Sequence, residues 1–258
     1  MPNNPPSKFR GDSAKRKKYE IISTAYGKPE ANIYDERRFS DPRGILFNKF
    51  EMEQFERALK QIPKSLKVLE VGCGTGRFIL KALLEGHEVH GIDASLAMLK
   101  ESARKTISFD NVYYYLDESA NLPFEDKSFD FVYSIRVLNQ LSSESYALNS
   151  IREMVRVCKE KGLILLEFVN KKGLTRNRET CVQLSVKDIH RAIDDYEMVK
   201  IIDLSGILFF SQSLMNLVPI ALLSLFEKVD KFFSKLLPYF STRCYIILYK
   251  GQNGKKLR

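Results

Sequence analysis

The stretch VLEVGCGTG, from Val68 to Gly76, constrains this chain more than any other segment. An apolar run carrying one acid, Glu70, gives way to glycines at alternate positions, Gly72, Gly74 and Gly76. A glycine-rich turn between a buried strand and a helix lets backbone approach a ligand where side chains would block it. A dinucleotide site asks for GxGxxG followed by a ribose-binding acid. Here the spacing is Gly72-x-Gly74-x-Gly76, with Glu70 two residues ahead of the first glycine. The pattern alone marks a ligand loop and leaves the ligand open.

The rest of the chain supplies the frame for that loop. Short apolar runs LKVLEV (66–71), EVHGI (88–92), VYYYL (112–116), FDFVYSI (129–135) and GLILLEF (162–168) alternate with helix-like segments. Alternation of this kind argues for βαβ units, an α/β class and a doubly wound, mostly parallel sheet covered on both faces. Apolar spacing predicts an amphipathic helix over 48–62 that ends at Pro63. A second helix starts at the glycine loop and stops at Gly86. A third, SSESYALNSIREMVRVCKEKG, has Ser142 or Ser143 as its N-cap and Gly162 beyond its end.

With 258 residues and 44% apolar content, one large domain is expected. The first residues contain no apolar stretch of signal-peptide type, so a cytoplasmic location is the expectation. Four scattered cysteines with no CxxC, and three histidines without ligand spacing, point to neither a disulfide framework nor a metal site. The net charge of +9 resides at the ends. Lys8, Arg10, Lys15, Arg16, Lys17 and Lys18 against Asp12 give +5, and Lys250, Lys255, Lys256 and Arg258 give +4, so residues 19 to 249 are formally neutral. We expect a disordered basic leader over 1–18, a single domain over 19–250 and a basic tail over 251–258.

Two further acids follow the loop. Asp93, in VHGIDAS, ends the second run, where a carboxylate can accept bonds from both hydroxyls of a ribose. Asp117, in YYYLDESANLPFEDKSFDFVYS, follows the third and can accept a bond from an exocyclic adenine amine. Together with VLEVGCGTG and REMVRVCKEKGLILLEF, these segments make residues 66–168 resemble a class I S-adenosylmethionine-dependent methyltransferase of the type-11 group. The resemblance implies a Rossmann-like, seven-stranded sheet and S-adenosylmethionine as cofactor. It implies that Glu70 and the loop residues Gly72, Cys73, Gly74 and Gly76 contact the methionine part, and that Asp93, beside Ala94, contacts the ribose. Asp117, Glu118 and Ser119 would meet the adenine, and Ile135 would lie near the sulfonium.

The chain also departs from that pattern. Where many relatives carry a histidine after the fourth strand, SIRVLNQL carries Asn139, whose amide has no useful pKa near neutrality. Arg136 in the same segment is either a solvated loop residue or a clamp for a substrate carboxylate or phosphate. AYGKPEANIYDERRFSDPRG (25–44) brings Tyr34 and its aromatic and basic neighbours ahead of the first helix, as a lid over the cofactor or simply as packing. Tyr34, Arg136 and Asn139 are the candidate catalytic residues.

Near the end, YEMVKIIDL (196–204) and RCYIILYK (243–250) resemble the family's last two strands, here separated by a long insert, 205–242. LSGILFFSQSLMNLVPIALLSLF (204–226) has no charge, but its polar residues and Pro219 argue against a transmembrane span. FEKVDKFFSKLL (226–237) reads as a basic amphipathic helix, suited to a membrane surface or to capping the substrate. The expected function is transfer of a methyl group to a small-molecule or lipid-type acceptor, in the cytoplasm or peripherally at an anionic membrane. Two alternatives stay open: a nucleic-acid methyltransferase, against which stands the lack of an Asn/Asp-Pro-Pro-aromatic segment, and a non-catalytic cofactor-binding adaptor. The acceptor and the oligomeric state are not read from the sequence.

Overall fold

The computed structural model describes residues 9–10, 28–173 and 181–252. Its strands are β1 (Phe9–Arg10), β2 (Lys67–Val71), β3 (Glu88–Asp93), β4 (Val112–Leu116), β5 (Phe129–Ser134), β6 (Cys158–Val169), β7 (Val199–Ile207) and β8 (Arg243–Lys250). They form one sheet in the order β1-β4-β3-β2-β5-β6-β8-β7. All pairings are parallel except those of β8, which runs antiparallel to both β6 and β7. The seven expected strands are present as a Rossmann-like sheet, and β1 adds two residues at its edge. Phe9–Arg10 lies within the segment expected to be a disordered leader; it pairs with Tyr114 and Tyr115 on the otherwise open edge of β4. The rest of 1–18 and the tail beyond 252 lie outside the described residues.

The helices are α1 (Lys28–Phe39), α2 (Pro42–Leu59), α3 (Arg77–Leu84), α4 (Leu96–Lys105), α5 (Glu144–Val157), α6 (Val186–Ile193), α7 (Ser211–Leu217) and α8 (Leu223–Leu236). Their starts are written in the sequence. Asp41 caps α2 by accepting bonds from the backbone N–H groups of Arg43 and Gly44, with Pro42 at the first helical position. Because of that cap the helix begins six residues before the expected 48. Ser143, one of the two expected caps, accepts from Tyr146 N at the start of α5. The end of α5 differs from expectation: it stops at Val157, and Cys158 already belongs to β6. The strand accommodates the extra residues in an irregularity at its start, where Lys161 takes a left-handed φ of 65° and Gly162 is pressed against the Asp130 carbonyl.

Alternate strand residues face two separate cores, as a period of two requires. Val68, Phe131 and Tyr133 pack with α2, α3, α4 and the insert, while Leu69, Val132 and Ile164 pack with α5 and α6. The first core centres on Phe55, fully buried against the rings of Phe78, Phe131 and Tyr133. Removing the Phe55 ring would cost about 3–5 kcal/mol, the usual range for a large buried side chain.

The strand order reverses between β2 and β5, which opens a crevice at the carboxyl ends of those strands. β7 runs in the same direction as β6, so its end, and the insert that follows, lie at this same edge. The insert is helical, as expected: α7, a short turn at Ile220–Leu222 and α8. Arg43 on α2 holds it by donating from Nη2 to the Val218 carbonyl at 2.7 Å, near the C-terminal end of α7, where carbonyls lack helical partners. Lys49 and Lys231 add ion pairs to Glu227 and Glu53. Lys250, expected to contribute charge to the tail, is instead half-buried. Its ammonium donates to the carbonyls of Val155 and Cys158, closing the end of α5, and burial pulls its pKa below the usual lysine value.

Candidate ligand site

The crevice is a cavity of about 550 Å3, within the range of small-molecule and cofactor sites. The loop after β2 forms its floor. Gly72, Gly74 and Gly76 all have positive φ, which allows three left-handed turns in five residues. They do different work. A Cβ on Gly74 would meet nothing within 4 Å, so this glycine leaves its backbone bare toward the cavity. A Cβ on Gly76 would strike Ser102 Oγ at 2.0 Å, so this one lets α3 and α4 approach each other. Gly76 alone of the expected cofactor residues does not line the cavity; its part is packing.

Asp93 ties the loop to the end of β3. Its Oδ2 accepts from Gly74 N and its Oδ1 from Ser95 N, both at 2.8 Å. Each oxygen keeps a lone pair for a ligand hydroxyl. Burial raises its pKa, and the two backbone donors oppose the rise. Asp117 and Glu118 follow β4 on the adjoining wall, with Ser119 beside them. Tyr146, from α5, donates to Glu118 Oε2 at 3.1 Å; burial and then the carboxylate push the phenol to about 12. Tyr146 is a lining residue that sequence reasoning missed, because it enters from a helix with no motif around it.

Glu70 is buried beneath the loop, its Oε2 accepting from Tyr133 Oη at 3.3 Å. Burial lifts its pKa well above the ordinary carboxylate value, and Tyr133 and Arg77 offset this only in part. A cation brought against Glu70 would remove that penalty. The bare Gly74 backbone, the acids after β3 and β4, and a buried carboxylate with no ion pair among the described residues offer groups suited to the ribose, the adenine and the ammonium of S-adenosylmethionine.

At the end of β5, Ile135 lines the cavity and Arg136 turns into it. Arg136 has a φ of 65°, an uncommon state for a residue with a Cβ, costing roughly 1–2 kcal/mol. Glu167 Oε2 holds it there by accepting from Arg136 N at 2.7 Å. The guanidinium lies 4.9 Å from the Phe47 ring centre and reaches Glu51 at 3.4 Å. Arg77 pairs with the same glutamate at 2.6 Å, and Arg243 pairs with Glu167. Burial pushes Glu51 up, but Arg77, Arg136 and Arg243 together hold its pKa below the ordinary value. Three guanidiniums thus face two buried carboxylates. Arg136 Nε and the nearby Tyr245 Oη are buried with no partner among the described residues.

The other two catalytic candidates separate. Tyr34, on α1, lines the cavity. Its helix is anchored over the loop through Asp35, which accepts from Thr75 Oγ1 at 2.7 Å and pairs with Lys105. Asn139 does not line the cavity: its carbonyl accepts from Val182 N, and its Oδ1 is buried without a partner among the described residues. The short turn at Leu138–Gln140 rotates it away while presenting Gln140 to the cavity instead. No histidine among the described residues lines the cavity.

Comparison with known proteins agrees with this geometry. Residues 69–166 match a family model described as Methyltransferase domain. The chain is 38% identical over 107 residues to the demethylmenaquinone methyltransferase of Staphylococcus aureus, a match covering 40% of this chain and 43% of that enzyme. It therefore spans less than half the length of the curated relatives it matches. Among solved structures, it resembles magnesium protoporphyrin IX methyltransferase from Synechocystis PCC 6803 with bound S-adenosylhomocysteine, at 15% identity and a TM-score of 0.64 over 90% of this chain and 99% of that one. It also resembles the cyclase SpnF, at 17% identity and a TM-score of 0.58 over 77% and 80% of the two chains. The last likeness shows that this fold also carries other chemistry.

Proposed function

We propose that the chain, whose residues 69–166 match a methyltransferase-domain model, transfers a methyl group from S-adenosylmethionine to a small-molecule acceptor bearing an anionic or acidic oxygen group. The cofactor, when bound, supplies a methyl group activated by a sulfonium. Glu70 would receive its ammonium, Asp93 its ribose hydroxyls, and Asp117 with Glu118 the adenine edge. α1, pinned by Asp35 to Thr75, would exclude water from above.

The observation that carries the acceptor class is the excess of positive charge at Arg136, Arg77 and Arg243 over Glu51 and Glu167, with Arg136 and Arg77 both lining the cavity. A guanidinium held in a partly buried site favours a carboxylate, phosphate or phenolate group. With no histidine among the described residues of the lining, positioning of an acceptor that is already nucleophilic would supply much of the rate. The relatives named as methyltransferases of demethylmenaquinone and magnesium protoporphyrin support a small-molecule acceptor.

The test is calorimetry with S-adenosylmethionine and S-adenosylhomocysteine, followed by an assay for S-adenosylhomocysteine release over acceptors with and without an acidic group. Turnover confined to acidic or phenolic acceptors supports the reading. Cofactor binding without turnover on any acceptor would favour a binding role, and absence of cofactor binding would remove the proposal.

A further inference from the structure

The insert that follows β7 has two apolar faces, and the cavity accounts for neither. On α8 the inner face is buried: Leu223 and Phe226 join the first core, and Phe233 stacks on Phe209. Asp230 on the same side accepts from Phe210 N and is buried. The opposite side carries Leu225, Val229, Phe232 and Leu236, spaced by four, three and four residues, so they form one stripe along the helix. All four are exposed, Phe232 to 64%. Other exposed apolar residues flank the helix in the chain. Leu217 (79% exposed) and Ile220 precede it, and Tyr239 and Phe240 follow it. An exposed apolar stripe along one helix, with exposed apolar residues on either side of it in the chain, marks an interaction site.

Charge decides the partner. Lys228 and Lys235 are exposed along one border of the stripe, and neither makes an ion pair among the described residues. The two acids of α8 do not offset them: Glu227 is engaged by Lys49 and Lys231, and Asp230 faces inward. The surface therefore presents apolar side chains beside uncompensated cations. That combination fits the boundary between acyl chains and anionic head groups. Among the described residues no helix is long and apolar enough to cross a membrane, so the contact would be superficial. The composition of the ends, with lysines and arginines at Lys15 to Lys18 and again at Lys255, Lys256 and Arg258, adds charge of the same sign.

We propose that the insert is a docking surface for an anionic lipid bilayer, with α8 lying in the interface on its Leu225–Leu236 stripe. The insert leaves the sheet at the carboxyl edge of β7, the edge that carries the cavity. The proposal does not depend on the chemistry assigned to the cavity.

The test is flotation of the full chain with vesicles of phosphatidylcholine, with and without phosphatidylglycerol. Comparison variants are Leu225→Asp with Phe232→Asp, and Lys228→Glu with Lys235→Glu. Thermal unfolding checks that each variant folds, and light scattering gives the mass of each in solution. The expected result is flotation of the parent with the anionic vesicles, reduced about tenfold or more by the aspartates. The glutamate pair should remove the preference for phosphatidylglycerol while keeping the parent's melting temperature. A parent that does not float, or folded variants that float as the parent does, would overturn the proposal. So would a parent dimer that the aspartates convert to monomer, which would assign the stripe to a second copy of the chain.

Discussion

Thr75 and Asp35 are forty residues apart in the chain, yet the Thr75 hydroxyl donates to Asp35 Oδ1 at 2.7 Å and ties α1 to the loop that floors the cavity. Lys105 on α4 pairs with the same carboxylate. Three elements thus meet at one acid. Asp35→Ala should loosen α1 over the cavity and speed cofactor release, with affinity falling by about 1 kcal/mol, the scale of one partly exposed hydrogen bond. Stopped-flow displacement of bound S-adenosylhomocysteine measures it. A release rate equal to the parent's would mean that α1 does not cover the ligand.

If the ammonium of S-adenosylmethionine lies against Glu70, cofactor binding depends on pH. Burial raises its pKa well above the value of 4.5 it has in an unfolded chain. The unfolded chain therefore loses this proton first, and the protein without cofactor becomes less stable as pH rises from the carboxylate range to the raised pKa. An ammonium against Glu70 favours the charged form, so affinity for S-adenosylmethionine should increase over the same window. The increase in melting temperature given by the cofactor should then grow as pH rises above the ordinary carboxylate range. Glu70→Gln should flatten that growth. An equal slope in both proteins would place the ammonium elsewhere.

Gly74 and Gly76 look alike in the sequence and should respond differently. Both have positive φ, so alanine strains the backbone by roughly 1–2 kcal/mol at either site. At Gly76 the new methyl also meets Ser102 Oγ, which is itself bonded to Tyr114 Oη, so packing between α3 and α4 must shift. At Gly74 it projects into open space where a ligand would lie. Gly76→Ala should show the larger fall in melting temperature, and Gly74→Ala the larger loss of cofactor affinity for its loss of stability. Denaturation and calorimetry on the two variants read both quantities.

This contrast shows where sequence reading stops. The strand–loop–helix unit, Asp93, Asp117 and the helical insert were legible because period, glycine spacing and strand ends are local properties. What was not legible depends on residues distant in the chain. Tyr146 reaches Glu118 from α5, and Asp35 reaches Thr75 from α1. Asn139 was expected at the reaction centre from its place after β5, but one short turn exposes Gln140 to the cavity in its stead. Arg136 was legible as a solvated loop residue or a clamp for an anionic substrate group, but its setting was not. Its left-handed backbone and its partners Glu51 and Glu167 come from α2 and β6, and no spacing rule connects them.

Those partners give the final prediction. Arg136 lines the cavity and already has Glu51 at 3.4 Å, so an anionic group in the cavity has a place beside a guanidinium that the ion pair holds. If an anionic group of the methyl acceptor fills that place, Arg136→Met removes a charge-assisted bond worth about 1.5–3 kcal/mol and leaves the cofactor's contacts alone. The variant should raise KM for acidic acceptors by roughly tenfold to a hundredfold, a range set by that energy. Its affinity for S-adenosylmethionine should stay within about twofold of the parent's, since the groups assigned to the cofactor lie on β2, β3 and β4 and the loops after them. Arg136→Lys should recover little, because an ammonium cannot offer the planar pair of N–H groups. Steady-state kinetics with an acceptor and its neutral analogue separates this from a structural effect. Loss confined to the acidic acceptor assigns Arg136 to recognition, whereas equal loss on both acceptors with a lowered melting temperature would assign it to holding the Glu51 and Glu167 cluster together.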